Sequence, residues 1–434
     1  MIVRLTGGLS PPAFVDTPPF RCPAMIPALL LAAFALHAAP PAATWPQWRG
    51  PTRDGLVAAG SPAWPNTLGE ANFKKQWSVP DLGPSYSGPI VSATLVYTTQ
   101  TVDKKTEVVT AYDRATGKFR WKQEWSGAMT VPFFAAKNGS WIRATPALDG
   151  DRLYVPGIQD LLVCLNANTG EVLWKYDFVK ELATAVPAFG FVCSPLVDDT
   201  SVYVQAGGHF CKLDKLKGTL TWKTLKNADA MNGSAFSCPV MGTIAGKKQL
   251  VVQTRESLAG VDIDTGKELW MRKIPTFRGM NILTPVIQGD RVFTSTYGGT
   301  TQAFGVQAKG DTFSTRDGWS FKYEGYMTTP VVVGEYAYWF GKDRKAICAN
   351  ITTGKEAWRS EKSYGDYWNL VANGDRILAL DSKGKLLLLN ANPKEFELLG
   401  EVNVSKAETW AHLAVAGDDV CIRDLNSLTC FKWK

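Results

Sequence analysis

The sequence predicts an all-β protein, a single eight-bladed β-propeller of four-stranded antiparallel blades, closed by an N-terminal strand that completes the last blade. Three observations predict it. A turn-and-tryptophan phrase recurs along the chain, a proline-led strand opening recurs beside it, and the last unit runs out one strand short while an unmatched strand stands near the beginning. With 434 residues, 45% hydrophobic and 20% charged, the chain has ample material for one large core. Its 39 Gly and 16 Trp against 3 His point to repeated turns and aromatic packing instead of a histidine-rich metal centre.

Taken in order, residues 1–38 read as a leader. Met25 to Leu36 is an apolar run of about a dozen residues, too short to cross a bilayer, and Leu36-His37-Ala38 offers small residues for cleavage. Met1 and Met25 both remain open as the start. No Cys follows the run, so a lipid anchor is not expected, and export to the periplasm or the extracellular space is. Residues 39–72 form an N-terminal extension, and residues 73–434 the propeller. No other segment has the length and apolarity of a membrane span.

The repeat itself begins after the extension. Thr116-Gly117-Lys118 leads two residues later to the strand carrying Trp121, and the same phrase recurs at Thr169-Gly170 with Trp174, Thr265-Gly266 with Trp270, and Thr353-Gly354 with Trp358. Lys217-Gly218 with Trp222 is a mild variant, and Trp319 keeps the aromatic without the turn. Asp113, Asn166, Asp214, Asp262 and Asn350 stand three positions before the Thr or its equivalent. A side-chain oxygen there accepts from backbone amides just ahead of it, and the Gly supplies the left-handed conformation. These residues are therefore predicted to form turns, not an acid–base series. The Trp is predicted to pack between neighbouring units.

Unit openings fall at Pro89, Pro146, Pro195, Pro239, Pro285 and Pro330, then at Leu370 and Leu413, where Gly374-Asp375 and Gly417-Asp418 keep the register. Their separation, roughly 40–57 residues, suits four short strands per unit. The eighth unit ends at Lys434 after its third strand. The segment Phe73–Val79, with Trp77, has the pattern of the missing fourth, and joining the termini removes an open edge.

The net charge of +7 is scattered, with no basic arm, which argues against nucleic acid as a partner. None of the 8 Cys form CxxC or CxxCH. Cys421 and Cys430 face each other if Asp424-Leu425-Asn426-Ser427 turns a hairpin, and a cross-strand disulfide and two buried thiols both stay open. A monomer is expected.

The Asp-x-x-Thr-Gly-x-x-x-Trp phrase resembles the repeat of the pyrroloquinoline-quinone (PQQ)-type β-propeller family. Trp45-Pro46-Gln47-Trp48-Arg49-Gly50-Pro51-Thr52-Arg53-Asp54-Gly55 resembles the opening of its exported bacterial members. The resemblance runs from Trp45 to Lys434 and implies two kinds of function. Quinoprotein dehydrogenases of the family hold PQQ and calcium near the ring axis and oxidise alcohols or sugars. Others, among them an outer-membrane assembly lipoprotein, are non-catalytic scaffolds. This chain has no adjacent Cys pair, no haem motif, no long insertions and no acidic residue matching the catalytic Asp.

In such a ring the residues just before each innermost strand face the channel mouth. The ligand-binding candidates are Tyr86, Arg143, Thr145, Ser194, Asn281, Thr284, Thr329, Trp368, Asn369 and His412, with Arg255 and Arg278 adding positive charge. The alternative for the Ser and Thr residues is that they satisfy backbone groups at the centre of the ring. His412 has no identifiable nucleophile or orienting carboxylate, so no catalytic and no metal-binding residue is assigned. The sequence thus favours an exported scaffold that binds a protein partner or a small polar or anionic ligand through one rim. The alternative is a small PQQ- and calcium-dependent oxidoreductase using the region of Arg143, Asn281, Trp368 and Asn369.

Overall fold

The computed structural model describes residues 43–226, 234–322, 324–325 and 327–434. The predicted leader, 1–38, lies outside the described residues, as do the first residues of the extension. The described chain forms eight four-stranded antiparallel sheets. Seven blades follow sequence order and occupy 90–126, 147–177, 196–224, 240–273, 286–321, 331–359 and 368–403. The eighth combines 414–433 with Phe73–Val79.

The predicted closure is present. Phe73 pairs with Trp433, Trp77 with Cys430 and Val79 with Leu428. The Phe73 ring stacks on Phe431 at 5.0 Å, the Ser78 and Thr429 hydroxyls meet at 2.8 Å, and Lys434 donates its backbone N–H to the Asn72 carbonyl at 2.9 Å. The innermost strands of blades 8 and 1 lie side by side, so the ring has no open end.

Each opening Pro stands one residue before its innermost strand, where a missing N–H costs no ladder bond. The Asp and Asn positions are turn-formers, as predicted. Asp113 Oδ1 accepts from the Thr116 N–H at 3.0 Å and its hydroxyl at 2.8 Å, and Asn166, Asp214, Asp262 and Asn350 repeat the N–H bond. The hydroxyl and amide bonds of these turns hold the Asp113 carboxyl below its usual range.

Blade-to-blade packing rests on the Trp that every outermost strand but that of blade 7 carries. It stands beside a β-bulge, as at Ala111↔Trp121, Cys164↔Trp174 and Cys348↔Trp358, and the bulge aims the indole at the next blade. There the ring lies on the turn glycine. A Cβ on Gly170 would meet Trp121 at 2.5 Å, and Gly117, Gly218, Gly266 and Gly354 lie as tightly under Trp77, Trp174, Trp222 and Trp319. Except at Trp222, whose buried indole N–H has no partner among the described residues, the indole N–H then reaches a carbonyl of the neighbouring blade's turn. Trp77 donates to Arg114 at 2.8 Å, Trp121 to Ala167 at 3.0 Å, Trp319 to Ile351 at 3.0 Å and Trp358 to Asn392 at 2.7 Å. Trp270 departs from the pattern because blade 5 lacks the Thr-Gly turn. Its N–H goes to Gln249 Oε1 at 2.6 Å inside its own blade.

The described part of the extension, 43–72, packs on the ring. Trp45 bridges Val91 of blade 1, Pro46 accepts from the Leu148 N–H of blade 2, and Leu56 and Leu68 bridge Ala372 and Gly400 of blade 7. The outermost strand of blade 7 carries no Trp, and Leu68 lies against Gly400 at the bulge where the indole would stand. Cys421 and Cys430 are joined as a cross-strand disulfide, while Cys164, Cys193, Cys211, Cys238 and Cys348 are buried free thiols. Among the described residues no helix is long and apolar enough to cross a membrane.

The docking geometry separates two costs that glycine avoids. Gly150 has φ +57° with open space around it, whereas Gly170 has φ +78° under an indole. Gly150→Ala is expected to cost about 1 kcal/mol, the left-handed penalty alone. Gly170→Ala should cost roughly 1–3 kcal/mol more, from overpacking. Denaturant midpoints of the two variants check this, and equal losses would show that the indole contact contributes nothing.

Candidate binding cavity at the channel mouth

One side of the channel is floored by the stretch from Trp45 to Gly55. Pro51, Gly50 and Gly55 let it turn tightly, and two arginines project from it into the ring. Arg49 donates to the Thr329 carbonyl at 3.0 Å and the Pro330 carbonyl at 2.6 Å, both at the opening of blade 6. Arg53 donates to the Ser194 and Pro195 carbonyls of blade 3 at 3.1 and 2.6 Å and to the Pro239 carbonyl of blade 4 at 3.1 Å. Both side chains are buried, and burial pulls both guanidinium pKa values down, that of Arg49 to about 10. They remain charged at neutral pH and bring positive charge to the axis.

Above this floor the positions preceding the innermost strands form a chain of hydrogen bonds from blade to blade. The Gly88 N–H donates to Thr145 Oγ1 at 2.9 Å, the Thr145 N–H to Ser194 Oγ at 2.9 Å and the Ser194 N–H to Cys238 Sγ at 3.3 Å. The Cys238 N–H donates to Thr284 Oγ1 at 3.1 Å, and the Thr284 N–H to Thr329 Oγ1 at 3.0 Å. Each of these side chains accepts a backbone N–H of its neighbour.

A cavity of about 1110 Å³ opens above them. Trp48, Tyr86, Tyr367 and Trp410 line one side, with Trp410 stacked on Tyr367 at 5.7 Å and Trp48 edge-on to His412 at 5.7 Å. Phe134, Phe189, Phe236, Phe277 and Tyr297 line the other. Four cations reach it: Arg143, Arg255, Arg278 and Lys273. Arg255 lies over the Phe236 ring at 5.1 Å, and Arg278 over Phe277 at 5.0 Å. Glu256 is the carboxylate among the described lining residues.

The sequence candidates divide between this cavity and the wall behind it. Tyr86, Arg143, Thr145, Ser194 and His412 line the cavity. Arg143 is held by the Gly139 carbonyl at 2.8 Å, and burial lowers its pKa to about 10. Asn281, Thr284, Thr329, Trp368 and Asn369 are buried within and between blades. Asn281 donates to the Thr254 and Arg255 carbonyls at 3.1 and 3.0 Å, and Asn369 to the Ala411 carbonyl at 3.0 Å. Trp368 stacks on Phe340 at 4.8 Å and donates to Asp381 Oδ2 at 3.1 Å. Trp48, Tyr367, Cys238 and the phenylalanine collar are not among the sequence candidates. Trp48 comes from the extension, and Tyr367 and the collar come from loops between blades, where no repeat marks a position, whereas Cys238 stands just before Pro239, the repeat position that Thr145 and Ser194 also occupy.

The resemblance to quinoproteins can be tested on the donor set. A calcium-held quinone needs several oxygen ligands on the metal. The cavity offers one carboxylate among its described lining residues, and no group of three His, Cys, Asp or Glu able to hold a metal occurs among the described residues. The residues do not fit that cofactor pair.

Comparison with known proteins agrees with the architecture. A family model described as outer membrane protein assembly factor BamB matches residues 104–360. Over 282 residues the chain is 26% identical to the quinohemoprotein alcohol dehydrogenase ADH-IIG of Pseudomonas putida, covering 59% of this chain but 38% of that protein. Over 320 residues it is 23% identical to the outer membrane protein assembly factor BamB of Moranella endobia, covering 71% of this chain and 76% of that one. The crystal structure of BamB from Moraxella catarrhalis superposes with a TM-score of 0.57 at 15% identity, over 83% of this chain and 98% of that chain, a likeness of fold.

His412 supplies a pH-dependent check of the buried wall. Burial, with Arg49 nearby, lowers its pKa from 6.5 to about 3, and its Nε2 has no partner among the described residues. Below pH 6.5 the unfolded chain takes up a proton that the folded chain refuses, so this contribution is lost as pH falls from 6.5 toward 3. Glu107 and Asp160, whose pKa values burial raises to about 7, act in the opposite sense and are common to both proteins compared. Relative to His412→Asn, the native protein should lose on the order of 1 kcal/mol per pH unit through that window. Denaturant titrations across the range measure it, and parallel curves would place His412 in water.

Proposed function

The chain belongs to the PQQ-like β-propeller family whose matching model is described as outer membrane protein assembly factor BamB, and from that membership we propose that it is a non-catalytic binding scaffold of the periplasm. In this reading the rigid ring presents the mouth cavity to a protein partner in assembly at the outer membrane. The segment it receives is acidic and carries apolar side chains. The observation that carries the reading is the composition of the cavity: an aromatic collar with Arg143, Arg255, Arg278 and Lys273 against Glu256. Aromatic rings supply contact area at small entropic cost, and the cation excess favours an anionic segment. Exposed Phe133, Phe134 and Phe277 continue the apolar surface outward. Axial hydroxyls already engaged by backbone groups are consistent with a structural wall around the binding surface. In this reading the protein acts as a monomer.

The quinoprotein alternative predicts a different outcome from one mixing experiment. Protein incubated with PQQ and Ca²⁺ should acquire no stoichiometric chromophore and reduce no dye with alcohols or sugars. Turnover would overturn the scaffold reading. For the scaffold itself, a photo-crosslinker at Phe133 should capture an envelope protein in cells. Arg278→Glu should weaken that complex by about tenfold, roughly 1.4 kcal/mol, with a loss that shrinks at high salt. Capture unchanged by the charge reversal would rule out the proposed acidic segment.

A further inference from the structure

The hydrogen-bonded chain around the axis contains one sulfur. Thr145, Ser194, Thr284 and Thr329 use hydroxyls to accept a neighbour's N–H, and Cys238 does the same work for Ser194 with a thiol. A serine would serve that bond equally well, so the bond does not account for the thiol. A second Cys, Cys193, lies across the seam between blades 3 and 4: its thiol donates to the Ser194 carbonyl at 3.6 Å, and the Ser194 N–H beside it donates to Cys238 Sγ at 3.3 Å. Arg53 brackets the pair, donating to Ser194 on one side and Pro239 on the other. Cys238 lines the cavity, whereas Cys193 is fully buried behind it.

We propose that Cys193 and Cys238 form a redox-active thiol pair that exchanges with a disulfide entering through the mouth cavity. Cys238 is the attacking thiol because it faces the cavity. Burial raises its pKa, but the Cys193 S–H, the Arg53 charge and the Ser194 N–H outweigh burial and draw it below the ordinary value, while Cys193 is raised. The Cys238 thiolate attacks one sulfur of a small disulfide R–S–S–R, forming Cys238–S–S–R and releasing one thiolate, which takes up the proton lost by Cys238. Cys193 then loses its proton and attacks the Cys238 sulfur. The second R–S leaves as a thiol, and a Cys193–Cys238 disulfide remains. The incoming disulfide is the oxidant: it gains two electrons as the pair loses two. The product ties blade 3 to blade 4 beneath the cavity.

The test is mass spectrometry of the folded full chain treated with oxidised glutathione. The native protein should lose two hydrogens in mass and yield a peptide linking Cys193 to Cys238, as isolated or after exchange. Cys193→Ser should instead hold one glutathione, on Cys238. Cys238→Ser keeps an acceptor for Ser194 and should react at neither position. Cys164, Cys211 and Cys348, whose thiol pKa values burial pushes up, serve as internal controls. Absence of both cross-link and adduct from the folded protein would overturn the proposal, as would glutathione spread evenly over the buried cysteines. Should Cys193→Ser fail to fold, iodoacetamide at mildly acidic pH decides on the native chain. Alkylation of Cys238 ahead of the three controls supports the pair, and equal rates refute it.

Discussion

The contact on which this structure depends is an indole lying on a glycine. A four-stranded sheet this small cannot bury both faces by itself, so each blade relies on its neighbours for a core. The Trp of the outermost strand crosses that seam, and the turn glycine of the next blade leaves room for it. The same turn supplies the carbonyl that takes the indole N–H, so the buried polar atom is satisfied by the element it packs against. One short sequence phrase thereby builds a turn and a receptor for its neighbour. Seam follows seam until the ring must close, and the pairing of Phe73–Val79 with the last strand closes it.

A closed ring leaves an axis, and the axis has to be filled. Hydroxyl and thiol groups at the strand openings accept the N–H groups of adjacent blades, which removes buried unpaired donors around the circle. Carbonyls at the same openings point toward the centre, and Arg49 and Arg53 satisfy several at once with their planar forks. The N-terminal stretch therefore braces the ring on one face and lines the cavity on the other. Its arginines bind blades 3, 4 and 6 together, while Trp48 forms part of the cavity floor. Two buried positive charges compensated by backbone carbonyls also add to the positive sign of the site, and Arg49 adds to burial in holding His412 neutral.

The division of labour follows from rigidity. The ring offers fixed positions, and the segments between blades carry the side chains that vary. The aromatic collar arises from such segments: Phe134 from the one before blade 2, Phe189 and Phe236 from those before blades 3 and 4, and Phe277 from the one before blade 5. Among its charged groups, Arg255 is held by the Phe236 face and the Arg278 carbonyl.

Much of the fold is legible in the amino-acid sequence. The Asp-x-x-Thr-Gly turn is a local device whose bonds span three residues, so spacing alone identifies Asp113, Asn166, Asp214, Asp262 and Asn350. The openings at Pro89 to Pro330 and the returning strand with Trp77 are identified in the same way. The candidate site is legible only in part. Alignment of repeats says which residues approach the axis, but it cannot say whether a side chain points into a cavity or into the wall. Tyr86 and Arg143 reach open space, while Asn281, Thr284 and Asn369 bond to backbone. The collar, the placement of Arg49 and Arg53 beneath it and the meeting of Cys193 with Cys238 belong to tertiary structure alone. They join residues far apart in the chain at distances set by how the blades curve, and the local pattern of a sequence carries no record of that curvature.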